Sequence, residues 1–214
     1  RLTQGWFMGS NLRKLQDRVD ELADEYVSRM ADMGGECDFV KDVAMWFPLR
    51  VIMSILGVPE EDEPLMLKLT QELFGSTDPD TTRSFDMMEF MDVVLDFEKY
   101  FAHLTQARRD NPTDDVASLI ANAEVDGAPI PEHEANGYYI IIATAGHDTT
   151  SSSTTGGLLA LLQNPEQMAK LRGDVDTYLP TAIDEMIRWV SPVRHFMRTA
   201  TEDCIVAGQN IRAG

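Results

Sequence analysis

The chain has 214 residues, with 36 acidic and 18 basic side chains, a formal charge of −18, and 43% apolar and 25% charged residues. This balance fits one packed domain or a large piece of one and argues against wholesale disorder or a collagen-like repeat. So acidic a surface repels a phosphate backbone, which argues against nucleic acid, and the longest apolar stretch, Tyr138 to Ala145, is far shorter than the roughly 18 residues of a membrane-spanning helix.

Cys37 and Cys204 are the two cysteines. They form neither a disulfide framework nor a metal-ligand spacing, so a cytoplasmic location is expected and both thiols are expected to fill the core. In chain order, Ser10 to Met33 carries Leu12, Leu15, Val19, Leu22, Tyr26 and Met30 at spacings of three and four, the stripe of an amphipathic helix, which Gly34-Gly35 ends. Cys37 to Val40 reads as a short strand. Asp42 to Leu56 reads as a buried helix stopped by Gly57 and Pro59, and the acidic turn Glu60-Glu61-Asp62-Glu63 suits the positive end of a helix running to about Phe74.

Gly75 to Thr82 is a polar loop. Ser84 to Arg109 is a second long amphipathic helix whose methionines are core filling, or line an adaptable pocket. Asp114 to Val125 reads as a short helix and Asp126-Gly127 as a turn. From Pro131 to about Gln163 runs a helix of roughly 30 residues, against about 11 to 12 for a mean helix, so it is expected to cross the whole domain. Its middle, Ala145-Gly146 followed by a Ser/Thr-rich run to Thr155, argues against a plain rod. After Asn164-Pro165 come short helices over Glu166 to Leu171 and Pro180 to Val190. Pro192 ends helical structure, and Phe196 to Ile211 reads as strands, with Asp203 to Ala207 turning through Gly208-Gln209-Asn210 into Ile211. The fold class is mainly α with a minor β part, in one domain over 1–214. With Arg1 at its start and Gly214 inside a hairpin, it is expected to be incomplete at both ends.

Ala145-Gly146-His147-Asp148-Thr149-Thr150 is the first informative site. Gly146 removes a side chain so that a flat ligand or a small gas molecule can approach the backbone. The Thr149 hydroxyl can turn back to the Ala145 carbonyl, loosening the helical ladder and opening a groove. Asp148 and Thr149 then set a carboxyl beside a hydroxyl, a pairing suited to handing protons inward. Taken alone, the same residues also suit a polar face with a capping Asp. The second site is Glu185-Met186-Ile187-Arg188, where the spacing of three puts carboxylate and guanidinium on one helical face. The histidines carry less: His133 has no second His four residues on, His103 reads as solvent-facing, His147 is the variable position of its motif, and His195 reads as a surface residue, or else borders the substrate or a propionate.

These motifs, with Asp184 to Trp189, Ser191-Pro192-Val193, Phe196 to Ala200, Ile55 to Asp62 and the closing Val206-Ala207-Gly208 to Gly214, resemble in order the haem-thiolate monooxygenases, the cytochrome P-450 family, in its soluble bacterial form. The resemblance implies that the helix around Ala145 and Gly146 passes over the distal face of a haem and that Asp148 and Thr149 are the acid and alcohol that deliver protons to dioxygen. It implies that Glu185 and Arg188 are a structural pair of the proximal side and that Arg198 binds a haem propionate, which its fork geometry suits. It further implies a ferredoxin or flavoprotein as electron donor and oxygen insertion into a hydrophobic small molecule. Segment 191–200 resembles members that oxidise steroids, terpenoids and branched lipids. The family's axial ligand is a Cys in a Phe-x-x-Gly-rich loop, and no such loop occurs up to Gly214. A b-type haem is therefore expected in the full-length parent, and the chain alone is expected to be inactive. The rival reading is a non-catalytic helical ligand-binding or interaction module, favoured by a straight helix through Ala145 to Thr150 or by Glu185 and Arg188 facing solvent.

Overall fold

The computed structural model describes residues 3–75, 81 and 87–214, so the start of the helix expected from Ser84 and most of the loop Gly75 to Thr82 lie outside the described residues. The helices are α1 (Gly9–Asp32), α2 (Trp46–Leu56), α3 (Glu63–Phe74), α4 (Met87–Asp110), α5 (Val116–Ala121), α6 (Glu132–Ala145), α7 (Asp148–Gln163), α8 (Pro165–Gly173) and α9 (Val175–Val190). Two antiparallel hairpins pair β1 (Glu124–Val125) with β2 (Ala128–Pro129) and β3 (Cys204–Val206) with β4 (Gln209–Ile211). A mainly helical chain with a minor β part is what the sequence predicts. Among the described residues no helix is long and apolar enough to cross a membrane.

The core lies in the first two thirds of the chain. Leu49, Met53 and Leu56 of α2 meet Met66 and Leu69 of α3, Phe97 and Phe101 of α4, and Tyr139 of α6. Tyr139 stacks on Phe101 at 4.8 Å between ring centroids, and its hydroxyl accepts from Thr105 Oγ1 at 3.1 Å and donates to the Ala117 carbonyl at 3.2 Å. Its polar tip is thus satisfied inside an apolar cluster. A second polar centre crosses the same bundle. Arg50, buried in α2, donates from Nε to Glu63 at 3.0 Å, from Nη1 to Glu25 of α1 at 2.7 Å, and from Nη2 to Glu60.

Several local expectations are corrected. Cys37 to Val40 is not a strand. Asp38 accepts from Lys41 N at 3.2 Å while its own amide donates to Asp42 Oδ2 at 2.8 Å, a reciprocal cap that starts a π-helical turn, Val40–Ala44. The helix expected over Asp114 to Val125 stops at Ala121, because Asp126 and Gly127, at φ 54° and 78°, turn the chain into a hairpin. The rod expected from Pro131 to Gln163 is two helices, α6 and α7. The last helix starts at Val175, five residues before Pro180, because Asp174 caps it by accepting from Thr177 N at 3.2 Å. Of the strands expected over Phe196 to Ile211, β3 and β4 form, with Ala207 and Gly208 at φ 49° and 79° as the turn. Cys37 and Cys204 are both exposed, so neither is core filling: Cys37 stands just outside the capped turn, and Cys204 is in a hairpin with no buried residue.

The last third packs differently. At Gly156 an added Cβ would lie 2.6 Å from Val190 Cγ2, and at Gly157 2.6 Å from Met186 Cγ. The two glycines therefore let α7 and α9 approach backbone to side chain. No residue of α9 is buried among the described residues.

Candidate functional site

The site grows from the interruption between α6 and α7. Thr144 Oγ1 donates to the Ile140 carbonyl at 2.7 Å, Thr149 Oγ1 to the Ala145 carbonyl at 3.3 Å and Thr150 Oγ1 to the Gly146 carbonyl at 3.2 Å. Three hydroxyls thus take carbonyls around one turn, and the regular ladder gives way at Gly146 and His147. The bond from Thr149 to Ala145 is the one the sequence predicts. Gly146 has a different immediate cause from the expected one: a Cβ there would lie 3.0 Å from Ile52 Cδ1 and Cγ1, so the missing side chain lets α2 close against the break.

Beyond the break a cavity of about 890 Å³ opens, near the top of the usual range of ligand pockets. It is lined by the hydroxyl row of α7 (Thr149, Thr150, Ser153 and Thr154) and by apolar Ile183, Met186 and Ile187 of the adjoining α9. Cys37 and Phe39 border it. Asp148 does not line it. Its carboxyl, half-buried at the first position of α7, lies 3.6 Å from Nδ1 of His147, which is 1% exposed. Burial raises the Asp148 pKa above the ordinary carboxylate value, with the His147 charge pulling the other way. Burial holds the imidazole below its ordinary value, with the carboxylate opposing. Asp148 therefore keeps its proton to a higher pH than a free carboxyl, and His147 gives its proton up at a lower pH than a free imidazole.

Ala145, Gly146, Asp148 and Thr149 come together at the break, but the remaining expected residues do not join them. Glu185 and Arg188 form a two-pronged pair, Nε to Oε2 and Nη2 to Oε1, both 2.6 Å, and it holds the Glu185 carboxyl below its usual range. Their side chains are 59% and 65% exposed, which is the solvent-facing position the rival module predicts. Arg198 is exposed outside the cavity lining, donating to its neighbour's carbonyl at 2.9 Å and lying 5.9 Å from the Phe196 ring. Two contributors escape the sequence reading. His147 continues the buried row Tyr139, Ala143 at intervals of four, a periodicity the sequence contains. Arg50, a lone cation in an apolar helix just before an acidic run, is the other.

A family model for cytochrome P450 matches residues 1–214. The chain belongs to the cytochrome P450 family. Cytochrome P450-terp of Pseudomonas sp is 47% identical over 221 aligned residues, covering 100% of this chain and 51% of that protein. A methyl-branched lipid omega-hydroxylase of Mycobacterium bovis is 35% identical over 94% of this chain and 46% of that protein. Among solved structures, a cytochrome P450 of Novosphingobium aromaticivorans is similar with a TM-score of 0.84 and 49% identity, and a Mycobacterium marinum cytochrome P450 in complex with pseudoionone with 0.91 and 33%. Each similarity covers 100% of this chain and about half of the other, 50% and 52%. The chain spans about half the length of the curated relatives it matches.

The P450 family implies a cysteine-ligated haem. The cavity fits one face of such a group: it is apolar across α9, carries a row of small hydroxyls on α7, and is large enough for a flat macrocycle. Arg198 has no carboxylate partner among the described residues, which suits an arginine that meets a carboxylate elsewhere. Neither thiol fits the ligand position, since Cys37 borders the cavity after Gly34-Gly35 but without the Phe-x-x-Gly pattern, and Cys204 does not line it.

Proposed function

We propose that the full-length parent is a haem-thiolate monooxygenase, inserting one oxygen atom from dioxygen into a C–H bond of a hydrophobic small molecule. The observation that carries this is the hydroxyl-lined, apolar-walled cavity opening at the broken helix of a chain matched end to end by the P450 family. A Cys-ligated haem, bound, supplies the oxidising chemistry. This chain's residues do the rest: Ala145 and Gly146 supply the carbonyls that hold Thr149 and Thr150 beside the cofactor face, the apolar residues of α9 exclude water, and Asp148 and Thr149 carry protons. Burial moves the Asp148 pKa upward, the direction that suits a proton donor, and the Thr149 hydroxyl, held on the Ala145 carbonyl, lines the cavity. Arg198 holds a propionate, and Glu185 with Arg188 braces the proximal side.

Residues 1–214 belong in this reading to a single domain shared with the rest of the parent chain. The chain alone, without the thiolate ligand, does not turn over. Electrons come from a ferredoxin or flavoprotein, the location is cytoplasmic, and the substrate is of the terpenoid, steroid or branched-lipid kind that segment 191–200 resembles, in keeping with the methyl-branched lipid in one relative's name. The test is the reduced, carbon monoxide-treated full-length protein. A Soret band shifted to the wavelength in the family's name is expected, and oxygenated product follows with electron supply; no shifted band overturns the proposal. The non-catalytic module keeps one favourable observation, the exposed Glu185 and Arg188 pair, and predicts binding without that band.

A further inference from the structure

His147 is the least explained group of the site. It is 1% exposed, and its Nδ1 is a buried polar atom without a hydrogen-bond partner. Native folds seldom leave such an atom unpaired, so a buried orphan nitrogen calls for an explanation. The nearest acidic atom is Asp148 Oδ1, 3.6 Å away, just outside bonding distance, on a carboxyl 39% exposed that sits at the edge of the protein interior. The other charged groups of the elements packed on this end of α7 are engaged elsewhere, apart from the exposed Asp176 and Asp184 of α9. Lys41 of the π-helical turn pairs with Asp38, Asp42 accepts from the Asp38 amide, and Arg50 of α2 is taken by Glu25, Glu60 and Glu63. On α9, Glu185 and Arg188 hold each other. The charged residues of α6, Glu132, His133 and Glu134, lie in its first turn, at the far end from the break.

We propose that His147 is a positioning residue, its buried imidazole the dock from which the Asp148 carboxyl swings toward Thr149 and the cavity. A neutral imidazole serves both protonation states of the acid: Nδ1 accepts from the carboxylic O–H, or, in the other tautomer, donates N–H to the carboxylate. Closing 3.6 Å to a hydrogen bond takes a small side-chain rotation of Asp148, whose backbone at the start of α7 stays in place. Docked, the carboxyl is held at the break and kept from bulk water. Undocked, it is free to turn toward the hydroxyl row that begins at Thr149. The low pKa of the buried imidazole supports this, since a cationic His147 would trap the carboxylate in an ion pair and stop the swing. The inference rests on the reading of Asp148 and Thr149 given under Proposed function.

The test uses the full-length holoprotein in its diamagnetic, carbon monoxide-bound reduced form. The Asp148 carboxyl band is assigned by infrared difference against Asp148→Asn. It is expected at a hydrogen-bonded position in the unmutated protein, displaced to that of a free carboxyl in His147→Leu, and returned in His147→Gln, whose amide both donates and accepts. One band position in all three overturns the dock. A measurement that leaves His147 in place guards against a variant that fails to fold: the imidazole Nδ1 nitrogen resonance of His147 is expected to shift in Asp148→Ala, and an unmoved resonance also overturns it. In turnover, His147→Leu is expected to lower kcat about 5- to 10-fold with KM within twofold, less than the roughly 100-fold or more of losing a general acid outright. A change confined to KM overturns the positioning role. Failure of the functional reading is seen separately, as a missing Soret shift in the unmutated protein.

Discussion

Replacing Arg50 by Met tests the polar centre of the bundle. Met keeps the volume of the stem, removes the fork, and leaves three carboxylates behind. Their exposures decide the cost: Glu60 at 70% and Glu25 at 42% return to water, whereas Glu63 at 10% has no such escape. The exposed pairs are each worth about 0 to 1 kcal/mol, while breaking a buried pair by removing one partner costs about 3 to 5 kcal/mol. The expected loss is therefore about 3 to 5 kcal/mol, dominated by Glu63, read from denaturant unfolding of the full-length protein. Arg50→Lys, a point charge without the fork, is expected to fall between. The pH dependence sharpens the test. Burial raises the folded pKa of Glu63 above its ordinary 4.5 even against the pull of Arg50. A raised folded pKa contributes stability that is present below the unfolded value and lost as pH rises through the folded one. Without Arg50 that folded pKa climbs further, so the deficit of Arg50→Met is expected to be smallest near pH 4.5 and to widen toward neutrality. Arg50→Met with Glu63→Gln is expected to recover most of it. A loss under about 1 kcal/mol, the size of an exposed pair, or a deficit that shrinks toward neutrality, refutes the reasoning.

Thr149→Val removes the hydroxyl at constant shape; product formed per electron pair is expected to fall with a rate loss of at least about 10-fold and little change in KM, checked by steady-state coupling in the full-length protein. Gly157→Val meets Met186 at the crossing of α7 and α9 and is expected to cost about 1 to 3 kcal/mol, with part restored by Met186→Ala, both read by denaturant unfolding. Asp115→Ala removes the acceptor of Ser118 N, Thr113 Oγ1 and Arg108 Nε, each at 2.7 Å, for an expected loss of about 2 to 3 kcal/mol. Although burial opposes it, these hydrogen bonds hold the Asp115 carboxyl below its ordinary 3.8. Its contribution is therefore present above that value and lost as pH falls through the folded one, so wild type and Asp115→Ala are expected to converge in acid.

Helix existence was legible wherever apolar spacing carried it, as in α1 and α4, and so were the turn at Asp126-Gly127 and the breaks at Gly57 and Asn164-Pro165. Boundaries set by side-chain caps were not. Asp38 with Asp42 turned an expected strand into a π-helical start, and Asp174 moved the beginning of α9 ahead of Pro180. At the site, the back-bond from Thr149 to Ala145 followed from the motif, because it is local to one turn. The burial of His147 and the side of Gly146 that meets Ile52 depend on how α2 lies across the break. That is tertiary information, which no spacing within the motif encodes.

The same residues that leave α9 without a core make the cavity. Ile183 and Ile187 are 46% and 48% exposed and line it, while Met186 does so from the turn that Gly157 admits. An amphipathic helix gains most of its stability by burying its apolar stripe, and here that stripe faces a space beside the hydroxyl row of α7. The chain spans about half the length of the relatives it matches, so this exposure belongs to the described residues alone. The N-terminal bundle, with Tyr139, Phe101 and the Arg50 centre, is already closed. It offers a fixed edge, the end of α6, against which the broken helix and its Asp148–Thr149 pair are held in register.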